Sequence, residues 1–431
     1  MTAVVGILNK EAVALAADSA VTIGGSNGRK ILNHANKVYR ISNRVPIGLM
    51  LYNNANLMGT PWEVIIKIFR EETQMEVLPS VSDYVELFIS FLRKKQFFTN
   101  EDIQNRMLTD FMKRVFEVIN QHAFNNLRNN NPHKIDNQLF KHQIELLIDG
   151  MHDTLISDFE SSISDFQDLS KENFLGSIKE IWDHSYQAIY SNNGFVIEES
   201  RVDKLKDIIY VYLRNPQHSS KFSHFTGLVF AGYGQDEIFP VLIPIQVSFA
   251  WNDRLRYFIE VENKAIISAD MYSAIRPFAQ TDVINTILAG IDPLLHNFYH
   301  DNLGSFLQKY NSLILNTLGP GSEATAERIK NIDINTVLKQ LSEDAASFQR
   351  QNYINPLMDA VSTLSKDDLA EMAESLIYLT YLKRRITFAE ESVGGPVDVA
   401  IISKGDGFIW KKRKHYFKPE LNPHFFSKYQ R

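Results

Sequence analysis

Three residues near the start of the chain have the types and spacing for amide chemistry. Thr2 carries a hydroxyl and becomes the N-terminal residue once Met1 is removed, a cleavage that a small second residue favours. A free α-amino group, with a pKa of about 8, can act as base for the hydroxyl of its own residue, which activates an otherwise weak oxygen nucleophile. Asp18 ends the apolar run in Ala-Ala-Asp-Ser, and Lys37 opens a later one. A carboxylate and an ammonium beside Thr2 would hold each other charged, and the ammonium would keep the Thr2 amine unprotonated. Taken alone, Asp18 and Lys37 read as solvated turn residues.

The elements that would position these groups follow from the apolar pattern. Ala3 to Leu8 and Ala12 to Ala17 read as a hairpin turning at Asn9-Lys10-Glu11. Gly24 to Gly28 reads as a loop, and Lys37 to Ile41 with Pro46 to Tyr52 as a second strand pair. Period then changes to helical, and residues 73–222 read almost entirely as helix. Strand text returns at Thr226 to Tyr233, Ile238 to Ala250 and Arg256 to Ile267. A helix from Asp282, a further helical stretch broken at Gly319 to Ser322, and a helix over Lys366 to Arg385 follow. Val397 to Ser403 and Gly407 to Lys411 close the chain as a hairpin. The first and last strands are expected to be neighbours in a layered sheet fold with helices outside.

Composition excludes several classes. The chain has 44% hydrophobic and 22% charged residues, a globular balance, and a formal net charge of −6 that offers no basic field to nucleic acid or anionic lipid. There is no cysteine, so disulfides, thiolate catalysis and Cys-ligated zinc are excluded. His218 and His224 lack metal-ligand spacing, and no metal or organic cofactor is expected. The opening lacks a basic leader region, and apolar runs such as Phe239 to Phe249 are too short to span a bilayer, so a cytoplasmic protein is expected. The basic run Lys411 to His415 reads as a solvated tail.

The text TAVVGILNKEAVALAADSAVTIG followed by NKVYRI resembles the opening of proteasome β-type subunits and of bacterial proteasome-like peptidases. FTGLVFAGYG is similar to that family's central hairpin. SKDDLAEMAESLIYLTYLKRR with EESVGGPVDVAIISKGDGF resembles its last helix and closing hairpin, in a form similar to the Anbu branch. Together these matches cover about half the chain. The resemblance implies an α+β fold, a four-layer αββα sandwich of the N-terminal-nucleophile hydrolases with large helical insertions. It divides the chain into 1–72 (first part of the sandwich), 73–222 (helical insertion), 223–302 (central strands and helix), 303–364 (second insertion) and 365–431 (last helix, closing hairpin and tail).

The resemblance also implies roles. Thr2 is the expected nucleophile, with Asp18 and Lys37 as its polar pair. Glu390 and Ser392 are the nearest matches to an acidic residue and a serine that support the terminal threonine in the family, although Val393 stands where serine usually precedes the Gly-Gly. Leu51 or Tyr52 would supply the oxyanion N–H in place of a glycine-rich turn. Ala279-Gln280-Thr281 occupies the place of a further family serine, with Thr281 an alternative helix N-cap, and the Gly24 to Gly28 loop would line the substrate channel. The expected activity is threonine-type hydrolysis of peptide or protein substrates, in a homo-oligomer with an unfoldase or regulator unspecified. The alternatives are an amidase acting on small amides, and a catalytically silent scaffold that binds partners through its helical inserts.

Overall fold

The computed structural model describes all residues except 1, 26–27, 43, 74–75, 96–99, 131–135, 159–163, 192–193, 195, 320, 388–392, 416 and 425–431. In chain order its main elements are β1 (Ala3–Asn9), β2 (Val13–Ala17), β3 (Val21–Gly25), β4 (Gly28–Leu32), β5 (Val38–Arg40), β6 (Ile47–Asn53), α1 (Trp62–Glu72), α2 (Val81–Lys95), α3 (Glu101–Asn130), α4 (Asn137–Asp158), α5 (Lys171–Ser177), α6 (Lys179–Ile189) and α7 (Glu199–Arg214). There follow β7 (Thr226–Gly232), β8 (Val241–Trp251), β9 (Arg254–Ile259), β10 (Ser273–Ala279), α8 (Asp282–Ala289), α9 (Pro293–Thr317), α10 (Glu323–Lys330), α11 (Ile334–Gln349), α12 (Asn355–Thr363), α13 (Lys366–Ile386), β11 (Asp398–Ser403) and β12 (Gly407–Lys412). The fold is α+β, and its elements fall into two compact units.

The first unit comprises Met1–Val38, Ile238–Pro240 and Ala265–Arg431. Its antiparallel sheet has the order β10-β1-β2-β11-β12, so the opening and closing hairpins meet through the β2–β11 pair, with Asp398 opposite Ala17, while the first strand β1 and the last strand β12 are not themselves neighbours. Every residue of β1 and β2 is buried. Ala3, Val5 and Ile7 on one face, with Ala14 and Ala16 of β2, pack against Leu369, Ala373, Leu376 and Ile377 of α13. Alanines at these strand positions let the helix backbone approach closely. The helix itself starts at a capping box, in which Ser365 accepts from the Asp368 N–H while the Asp368 carboxylate accepts from the Ser365 N–H. Asn9 fixes the β1–β2 turn by accepting from the Glu11 and Ala12 N–H groups and donating to the Val361 and Leu364 carbonyls.

Two expectations change in this unit. Residues 273–279, to which the apolar pattern assigned no element, form β10, which pairs with β1 from Ala3↔Ala279 to Asn9↔Ser273. Pro277 argues against a strand in sequence, but β10 is an edge strand, where proline is tolerated. The Gly24 to Gly28 stretch is not a loop throughout: Gly25 and Gly28 are paired at the end of the β3–β4 hairpin, leaving only residues 26–27 between the strands. Asn-Gly beside such a short connection is a hairpin signal.

The second unit comprises Tyr39–Glu237 and Val241–Lys264. Its antiparallel sheet has the order β9-β8-β7-β6-β5. Helices α2 and α3, from the 73–222 block, lie against β7 and β8 and share one core with them, where Phe88 meets Phe230 edge-on at 5.4 Å. Trp62 Nε1 donates to Thr226 Oγ1 at 2.7 Å, tying α1 to β7. Arg256, fully buried, donates to the carbonyls of Tyr212 and Leu213 and to the hydroxyls of Ser219, Ser223 and Ser248. Its guanidinium therefore joins the end of α7 to the sheet through neutral acceptors. Among the described residues no helix is long and apolar enough to cross a membrane.

Candidate functional site

The hydrogen-bonding needs of Asp18 organise the first unit around Thr2. Asp18 follows β2, opposite the start of β1, where its N–H donates to the Ala3 carbonyl. Its carboxylate accepts from the backbone N–H of Ala3 at 3.0 Å, of Ala20 at 3.1 Å and of Gly394 at 3.1 Å, and from Lys37 Nζ at 2.6 Å. These four donors come from four separate stretches of chain. The Ala3 N–H belongs to the peptide bond that follows Thr2, so the carboxylate sits beside the Thr2 backbone.

Asp18 and Lys37 are 1% and 4% exposed, and Thr2 is 3% exposed. The solvated-turn reading of the two charged residues is therefore overturned: the strands leave them inside the unit, where a charge needs a partner. Lys37 Nζ also donates to the Ala20 carbonyl at 2.5 Å, so among the described residues two of its three N–H donors have partners. Burial lowers the Lys37 pKa below its ordinary value, while the Asp18 charge and hydrogen bond oppose the shift.

A second buried ion pair stands nearby. Asp398, 1% exposed on β11, accepts from Lys414 through both its backbone N–H and its ammonium. The Lys414 charge lowers the Lys37 pKa and the Asp398 charge raises it, which puts both pairs in one electrostatic environment. The expectation of a solvated basic run holds for Lys411, Lys412, Arg413 and His415, which are exposed, and is corrected at Lys414, whose side chain is only 8% exposed. Lys411 and Lys412 are strand residues paired with Asp367 and Glu374, and Arg413 lies over Trp410. The sequence signal for Asp398 was a lone carboxylate inside Pro-Val-Asp-Val-Ala, and that for Lys414 was concealed in a charge run.

The carbonyl of Thr2 is held from the other side. Gln280 N–H donates to it at 3.2 Å, and the Gln280 side chain accepts from Arg384 Nε at 2.6 Å. Arg384 in turn donates to Asp282, which Lys383 also reaches. Ala279, directly before Gln280, has φ +65°, a left-handed conformation that costs a non-glycine residue about 1–2 kcal/mol. Such strain clusters at functional sites. Thr281 stands at the N-cap of α8 but its side chain makes no capping hydrogen bond.

Gly394 and Gly395 lead the chain into β11 past Asp18. Gly395 has φ +75°, and a Cβ there would lie 2.7 Å from the Asn33 carbonyl oxygen, so glycine is required. Ser19 fixes the same segment, its N–H donating to the Gly394 carbonyl and its hydroxyl to the Pro396 carbonyl. Glu390 and Ser392 lie outside the described residues.

Leu51 and Tyr52 belong to the second unit, on β6, opposite Leu228 and Gly227. The Tyr52 hydroxyl donates to Glu260 Oε1 at 2.5 Å, and burial, reinforced by the Glu260 charge, pushes its pKa up. The Tyr52 ring fills the space a side chain at Gly227 would take. The first unit therefore assembles Thr2, Asp18 and Lys37 without either expected oxyanion residue.

Neither a scan of known protein families nor a search of curated proteins found a match to this chain.

Proposed function

We propose that the chain is a threonine-type peptidase of the N-terminal-nucleophile class. The observation that carries this reading is the Asp18 carboxylate, which binds both the Ala3 N–H, next to Thr2, and the Lys37 ammonium. In the proposed reaction Met1 is first removed. Thr2 Oγ then attacks the carbonyl carbon of a substrate amide while its proton passes to the Thr2 α-amine. The tetrahedral intermediate expels the amine half of the substrate, which takes up that proton, and leaves an acyl ester on Thr2. Water, deprotonated by the same amine, releases the acid half and restores the hydroxyl. Lys37 keeps the α-amine neutral by its charge, with one N–H left for the reacting groups, and Asp18 holds Lys37 in place.

The proposed architecture is the four-layer αββα sandwich of that class. It is supported by an antiparallel sheet carrying helices against one face in each unit. Leu51 or Tyr52 remains the proposed source of an oxyanion N–H, and Glu390 and Ser392 the proposed support for the threonine.

One observation favours a second reading, a catalytically silent scaffold. Gln280 stands where the resemblance calls for a serine, and its side chain is engaged by Arg384. Incubation with an epoxyketone or β-lactone, followed by peptide mass spectrometry, separates the two. A stoichiometric adduct on Thr2 that forms only in chains lacking Met1 supports the peptidase. No adduct on chains with a free Thr2 amine supports the scaffold.

A further inference from the structure

The helical hairpin of α9 and α11 carries more apolar surface than its own packing uses. A Cβ on Gly290, just before α9, would meet the Tyr353 ring just after α11, and one on Gly304 would meet Leu338, so the two helices run antiparallel. Leu303, Leu307 and Ile314 of α9 and Ile334 and Leu338 of α11 are half-buried, at the three- and four-residue spacings of one inner seam. A hairpin that packed only on itself would be polar elsewhere. Instead no residue of α9, α10 or α11 is buried, and Leu294, Phe298, Phe306 and Leu313 of α9 are exposed at 78%, 60%, 65% and 64%. Tyr299 and Tyr310 of α9, and Val337, Leu341 and Phe348 of α11, are also more than half exposed.

Area and charge select the occupant. An aromatic side chain buries about 150–250 Å² when covered. At their exposures these residues exceed the roughly 300–600 Å² patch that a monomer ordinarily shows and approach the roughly 800 Å² per partner of a standard interface. Helix α9 has one acid, Asp301, and one base, Lys309. Residues 293–353 carry six acids and five bases. An anionic membrane or a nucleic acid would require a basic face, and this one is nearly neutral. A second copy meets it without like-charge repulsion, in the self-complementary pairing of a two-fold axis.

We propose that the α9–α11 hairpin is a self-association surface that pairs with the same hairpin of a second copy of this chain. This assignment stands apart from any hydrolytic activity. The test compares full-length wild type with a Phe306→Glu, Leu313→Glu double variant by sedimentation velocity across the micromolar range, with helix content followed by circular dichroism. Wild type is expected to hold at least two chains, and the variant to fall at least twofold in mass or to dissociate at tenfold higher concentration, with helix content unchanged. A second measurement does not depend on that variant folding. Because the chain has no cysteine, a single Tyr310→Cys can be followed by its alkylation rate. The rate should fall as protein concentration rises, while that of Glu86→Cys on α2 should not. Equal masses for wild type and a folded variant, or concentration-independent alkylation at position 310, would overturn the proposal. So would a wild type that stays monomeric and binds phosphatidylcholine vesicles.

Discussion

Lys37 Nζ lies 2.6 Å from Asp18 Oδ1, with the two side chains only 5% and 1% exposed. Breaking a buried pair by removing one partner leaves an uncompensated charge and costs about 3–5 kcal/mol. Lys37→Ala is accordingly expected to lower unfolding free energy by that amount, and Lys37→Ala combined with Asp18→Asn to recover much of it. Amide hydrolysis should fall about a hundredfold or more in both variants, the scale of losing an electrostatic partner. Denaturant unfolding of the three chains, set beside turnover, checks this. A single-variant loss under about 1 kcal/mol would mean that the pair is worth no more than a surface contact.

The lowered Lys37 pKa sets a pH dependence. The unfolded chain keeps the lysine proton up to its ordinary value of 10.5, and the folded chain gives it up earlier. Between those two values the unfolded state binds more protons, so this group's contribution to stability rises with pH. The stability difference between wild type and Lys37→Met should therefore shift in favour of wild type as pH rises toward 10.5. Lys414→Gln removes a charge that lowers the Lys37 pKa, so this window should move to higher pH. Chemical denaturation at stepped pH reads both effects, and a difference that shrinks with rising pH contradicts the assignment.

Backbone conformation beside Thr2 yields a pair of opposite expectations. Ala279 sits at φ +65°. Ala279→Gly relieves about 1–2 kcal/mol of left-handed strain against an entropic cost of about 0.5–1 kcal/mol, so it should stabilise by up to about 1 kcal/mol. Gly395→Ala meets the Asn33 carbonyl oxygen and forces φ +75° on alanine, so it should destabilise by more than about 1 kcal/mol and disturb the Gly394 bond to Asp18. Thermal unfolding of both variants suffices. Loss of stability in Ala279→Gly would show that its conformation carries no strain.

Hydrolysis should depend on a free Thr2 amine. An added residue that cannot be cleaved converts the amine to an amide without basicity, and Thr2→Ala removes the hydroxyl. Both should abolish peptide turnover and electrophile labelling, while Thr2→Ser keeps part of each. Equal rates from blocked and free chains, compared by fluorogenic peptide assay and intact mass, would place the nucleophile elsewhere.

By itself the sequence determined the elements whose signals are local. The β1–β2 turn at Asn9 and the closing hairpin are written in neighbouring residues, because turns are satisfied within a few positions. It also singled out Thr2, Asp18 and Lys37 by type and spacing. Only the tertiary structure decided the environment of these residues. Asp18 draws its four donors from residues 3, 20, 37 and 394, and no local pattern announces that a lysine at a strand start will be buried. The same holds for Asp398 and Lys414, which looked like a strand residue and a tail charge until pairing between β11 and β2 brought Asp398 opposite Ala17, beside Asp18. Strand β10 escaped notice because its proline is tolerated only at a sheet edge, and edge position is a property of the assembled sheet. Burial and pairing depend on contacts between distant segments, which is why the chemistry of these charges follows from the fold rather than from their spacing.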